Sequence, residues 1–88
     1  MEHVIVERVF ADPVQAADVY AAMQKAPSCL DAHRVRHLRS CLSLDGLRMI
    51  CEYEAPDAES VRTANLRMGS QFERIWTAKV LSPSDPAR

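Results

Sequence analysis

Eighty-eight residues are enough for one sheet with a layer of helices and too few for two independent cores. Eleven basic and 12 acidic residues leave a net charge of −1, which excludes an overall field for holding DNA, RNA or an anionic membrane. Three cysteines without CxxC or zinc spacing read as reduced thiols, and the lack of a leader-like N-terminus or a membrane-length apolar run predicts a cytoplasmic protein.

Residues 3–10, HVIVERVF, form a β-branched run with Val4, Val6 and Phe10 on one face and His3, Ile5, Glu7 and Val9 on the other. A central strand looks like this, apolar on both sides. Asp12 can cap a helix that has Pro13 at its first position and runs through about Lys25. Its stripe of Ala16, Val19, Tyr20 and Met23 is spaced to pack on a sheet. Ala26-Pro27-Ser28 ends that helix, and Ser28 to His33 adds a helical turn.

Arg34 to Ser43 and Leu47 to Ala55 are two strands joined at Asp45-Gly46, a pair suited to a two-residue type I′ turn. That turn sets Leu44 opposite Leu47, Leu42 opposite Met49, Ser40 opposite Cys51 and Leu38 opposite Tyr53 on an apolar face. The other face pairs Ser43 with Arg48, Cys41 with Ile50, Arg39 with Glu52 and His37 with Glu54. A slip of one residue would mix the two faces. Pro56 closes the second of these strands, Asp57 caps a helix over Ala58 to Met68, and Gly69 stops it. Its inner face is Val61, Ala64 and Met68. Phe72 to Leu81 reads as a last strand, with Trp76 on the helix side, and residues 83–88 as a disordered tail after a single domain over 1–82.

The order βαββαβ predicts an α+β ferredoxin-like sandwich, a four-stranded antiparallel sheet with two helices on one face. That fold serves many functions, so function has to come from a site.

The strings CEYEAPDAESVR, MG and FERIW, with Val6, Glu7, Arg8 and Phe10 in the first strand, carry a further signal. In them the chain resembles a bacterial family of small ferredoxin-like proteins of largely unknown function, one branch of which is nickel-binding. The resemblance implies the same fold and makes nickel, or another divalent transition metal, a candidate ligand. The chain departs from the family pattern at Asn65, where relatives often carry a histidine.

On the expected open face of the sheet, Glu7, His37, Arg39, Glu52 and Glu54 are the candidate ligand-binding residues, and His37 with Glu54 the candidate metal pair. Imidazole with carboxylates suits nickel or zinc, and the same charges also suit a dimer face or a plain solvated face. Apolar residues on both sheet faces favour a homodimer. The reading is thus a dimeric domain binding a small ligand or metal, with a cofactor-free enzyme of the dimeric α+β barrel type as the alternative. Nucleic-acid binding is not expected, because the central strands carry Ile5, Glu7, Ile50 and Glu52 where RNA-binding versions of the fold need aromatic rings.

Overall fold

A computed structural model describes residues 1–84. The chain runs β1 (Glu2–Val9), α1 (Ala16–Lys25), α2 (Pro27–Ala32), β2 (Arg36–Leu42), β3 (Arg48–Ala55), α3 (Ala58–Met68) and β4 (Arg74–Ala78). The four strands form one antiparallel sheet in the order β2-β3-β1-β4, the ferredoxin-like arrangement, with α2 as an added short helix. Of the tail expected at 83–88, residues 85–88 lie outside the described residues. Among the described residues, no helix is long and apolar enough to cross a membrane.

The core lies on the helix side of the sheet. Val4 and Val6 of β1 and Cys51, Tyr53 and Ala55 of β3 pack there against Leu30 of α2 and Val61 and Ala64 of α3. The α3 boundaries follow from local chemistry. Asp57 accepts the Ser60 amide hydrogen bond at 2.7 Å, and Gly69 ends the helix in the left-handed region at φ 69°.

Three expectations need correction. First, the hairpin loop is longer than a two-residue turn. The Ser43 amide donates to Arg48 O at 2.8 Å and the Gly46 amide to Ser43 O at 2.9 Å, and within the loop Gly46 alone takes positive φ, at 75°. Asp45 works as an acceptor instead, its carboxylate taking hydrogen bonds from Ser43 Oγ at 2.7 Å and Leu47 N at 3.0 Å. Leu44 therefore points into solvent and does not face Leu47.

Second, α1 begins at Ala16 with Gln15 at its cap position, and Asp12 does not cap it. The chain before it is tied to the hairpin, through Phe10 N to Leu47 O at 2.9 Å and Val14 N to Gly46 O at 2.8 Å. Pinned in this way, α1 stands away from the sheet and has no buried residue. Tyr20, expected in the core, is 66% exposed, while Val19 is only partly covered.

Third, β4 has the opposite parity to that expected. Ile75 lies opposite Val6 and packs on the core, and Trp76 lies opposite Ile5 on the open face. Both residues are apolar, so alternation could not decide between them. The indole N–H decides, because it donates to Glu7 Oε2 at 2.7 Å, a partner the apolar core would not supply.

Candidate functional site

The helix side of the sheet carries one charged residue in an otherwise apolar row. Arg8 shares its face with Val4 and Val6 and is only 8% exposed. Its guanidinium is satisfied on several sides: Nε donates to Cys51 Sγ at 3.4 Å, Nη1 to Gln71 O at 2.7 Å, and Nη2 to Tyr53 Oη at 3.1 Å and to Asn65 Oδ1 at 2.7 Å. Among the described residues it has no carboxylate partner. Burial works against the Arg8 charge, yet the neighbouring Tyr53 and Cys51 outweigh it and raise its pKa.

Asn65 is wholly buried and bridges two elements, since its Nδ2 donates to Val61 O at 2.8 Å while its Oδ1 holds Arg8. The position singled out for lacking the family histidine is therefore an anchor for the buried cation.

The β2 strand brings the remaining groups. The register matches expectation from Leu42 back to Arg39, with Ser40 opposite Cys51 and Arg39 opposite Glu52. A bulge at Leu38 then shifts it, so that His37 lies opposite Tyr53 and Arg36 opposite Glu54. This corrects the expected pairing of His37 with Glu54. On the helix side the His37 ring stacks on Tyr53, with centroids 4.8 Å apart, and its Nε2 is 2.8 Å from Ser40 Oγ. Ser40 Oγ in turn donates to Cys51 Sγ at 3.1 Å.

Burial pushes the Cys51 thiol up, but hydrogen bonding from His37, Ser40 and Arg8, with the Arg8 charge, brings it down to about 7. Burial, followed by the negative charge of the Cys51 thiolate, pushes Tyr53 up to about 12. Cys51 is thus the acidic group of this pair that ionises near neutrality.

These side chains form the floor of a cleft of about 630 Å³ left beneath α1. Its walls are mostly apolar, including Phe10, Val19, Met23, Leu30 and Met49, with the charged Asp18 and Lys25 of α1 also bordering it. A mainly apolar hollow with a few convergent polar groups is the usual form of a small-molecule site.

The open face carries the other residues singled out from the sequence. Glu52 binds Arg39 Nε at 2.7 Å through one oxygen and His3 Nε2 at 2.9 Å through the other. The Glu52 carboxyl is held below the usual carboxylate range by its hydrogen bond to Arg39, helped by His3. Glu7 is taken by Trp76, and Glu54 lies 3.9 Å from Arg36. The face thus joins Arg39 and Glu52, keeps Glu7 and Glu54 with other partners, and leaves His37 on the far side of the sheet.

A family model described as "Nickel responsive protein SCO4226-like" matches residues 5–77. The crystal structure of SCO4226 from Streptomyces coelicolor A3(2) superposes with a TM-score of 0.81 at 16% identity, covering 91% of this chain and 99% of that one. No curated protein matches. Nickel is best served by several nitrogen, oxygen or sulfur donors converging on one point. Among the described residues no three His, Cys, Asp or Glu side chains converge in that way. Cys51 has a guanidinium against its sulfur, and both oxygens of Glu52 are already engaged. Among the described residues, the donors of a single chain do not fit a nickel centre.

Proposed function

The chain belongs to the SCO4226-like family of nickel responsive proteins, and within that family we propose that it is a small-ligand-binding domain whose site is the cleft beneath α1. The supporting observation is the floor of that cleft, where a buried guanidinium with no carboxylate partner among the described residues sits beside Cys51, Ser40 and His37 under apolar walls. The ligand of such a site is a compact, largely apolar organic molecule carrying one polar end. A cofactor-free enzyme is the second reading, favoured by the grouping of His37, Ser40 and Cys51 on the cleft floor.

The sheet's open face has a separate role in this proposal, pairing with the same face of a second copy. Ile50, Trp76 and Val9 expose 43%, 46% and 55% of their surface there. Charges of both signs surround them, in Arg39, Glu52 and Glu7, as a self-complementary surface requires.

The test uses anilinonaphthalene sulfonate, an apolar probe with one anionic end, followed by amide NMR shifts. Shifts at Met23, Met49 and Cys51 that vanish in Val19→Trp, where the indole fills the cleft, are the expected result. Shifts confined to Ile5, Ile50 and Trp76 would overturn the assignment.

A further inference from the structure

Arg8 poses an electrostatic problem that its hydrogen bonds alone do not solve. A buried cation held only by neutral groups is costly, because hydrogen-bond dipoles replace only part of the lost hydration. Gln71 O, Asn65 Oδ1 and Tyr53 Oη are neutral partners, and burial holds the Tyr53 phenol in its protonated form. The remaining partner among the described residues is Cys51 Sγ, the one of these atoms able to carry a compensating negative charge near neutral pH.

The sulfur's other contacts favour the same charge. Ser40 Oγ donates to it at 3.1 Å, and Ser40 is itself held by His37 Nε2 at 2.8 Å. Stacking on Tyr53 fixes the imidazole. Sulfur, hydroxyl, imidazole and guanidinium all border the same cleft. The other charged groups lining it, Asp18 and Lys25 of α1, have opposite signs. The lowered thiol pKa agrees with this geometry.

We infer that Cys51 is a nucleophilic thiolate that captures α,β-unsaturated carbonyl compounds entering the cleft, an inference that rests on the cleft being the ligand site. Apolar walls suit a carbon-based electrophile better than a strongly hydrated oxidant. In the capture step the thiolate lone pair forms a C–S bond at the β-carbon. The C=C π pair moves to the carbonyl oxygen as an enolate, and water delivers a proton to the α-carbon. No electrons leave the pair of reactants, and the product is a thioether.

Cys29 and Cys41 act as internal controls. Cys41 is exposed, and Cys29 lies 3.9 Å from Ala64 O. N-ethylmaleimide, a compact Michael acceptor, is the probe, with the rate at each cysteine read by peptide mass mapping of the folded protein across a pH series. The expected result is alkylation of Cys51 ahead of Cys41 below neutrality, with a rate profile centred near pH 7. Ser40→Ala should move that centre upward and slow labelling below neutrality by on the order of tenfold. Arg8→Lys, which keeps the charge while losing the fork, should move it less than Arg8→Met does.

Labelling of Cys51 slower than Cys41 at every pH, or a profile unmoved by Ser40→Ala, overturns the inference. Anilinonaphthalene sulfonate shifts measured on the same sample separate the two ideas. Cleft binding with an inert Cys51 removes the nucleophile and keeps the ligand site. Rapid Cys51 labelling that Val19→Trp leaves unchanged removes entry through the cleft, and the inference with it.

Discussion

Asn65 Oδ1 accepts a hydrogen bond from Arg8 Nη2 at 2.7 Å, tying the C-terminal half of α3 to the central strand β1 through a buried cation. Asn65→Leu should remove that acceptor and strand a charged donor, costing about 3 kcal/mol. In so small a domain that is a fall in melting temperature of more than about 10 °C. In an Arg8→Met background the same substitution should cost about 1 kcal/mol. Equal losses in the two backgrounds would show that the pair is not coupled.

The two glycines with positive φ should respond differently to alanine. At Gly46 a Cβ would lie 2.7 Å from Val14 O and 2.9 Å from Val14 N, whereas at Gly69 nothing lies within 4 Å. Gly69→Ala should therefore cost only the left-handed backbone penalty, about 1 kcal/mol, and Gly46→Ala more than about 2 kcal/mol. Denaturant midpoints measure both, and equal costs would contradict the contact between the loop and the segment before α1.

Stability should rise with pH around neutrality. The Cys51 thiol is lowered from 9.0 to about 7 in the folded chain. A depressed pKa contributes stability that is complete above the unfolded value and lost as pH falls through the folded one. At about 1.4 kcal/mol per unit, the wild type should gain roughly 2 to 3 kcal/mol between about pH 6.5 and about pH 9.5. Cys51→Ala should flatten that slope, and an unchanged slope would detach the thiolate from folding.

The proposed association through the open face can be followed with the protein's single tryptophan. Trp76 sits on that face with its indole on Glu7, so its emission should shift to shorter wavelength as protein concentration rises. Ile50→Asp should abolish both the shift and the dimer peak in sedimentation, by placing a charge in the interface. A monomeric wild type at high concentration would end this reading.

Much of the fold is written in local chemistry. Asp57, Gly69 and the run between them specify α3 to the residue, because capping and the left-handed stop are properties of the adjacent chain. The positions of Ser40 opposite Cys51 and Arg39 opposite Glu52 follow from alternation counted back from the hairpin. Alternation cannot register an extra residue, so the bulge at Leu38 and the side taken by His37 were out of its reach. Arg8 was missed as a site residue; the available signal was an even-numbered charge in the row of Val4, Val6 and Phe10, while its partners Asn65 and Gln71 lie more than fifty residues away. The cleft itself was hidden, because the stripe of α1 predicts packing on the sheet. It takes the two hydrogen bonds from Phe10 and Val14 to the hairpin to hold the helix off.

The extra residue in β2 also governs how this chain is to be compared with its relatives. Counting backward from Gly46 at a fixed spacing misassigns every position from Leu38 back, putting Leu38 where His37 belongs and His37 where Arg36 belongs. A homologue lacking one residue at that point would keep imidazole over phenol in an unbroken ladder, while appearing in a gapless alignment to have lost the histidine. Against a relative without that residue, the gap belongs at position 38, and identity across the edge strand carries meaning only after that one-residue offset.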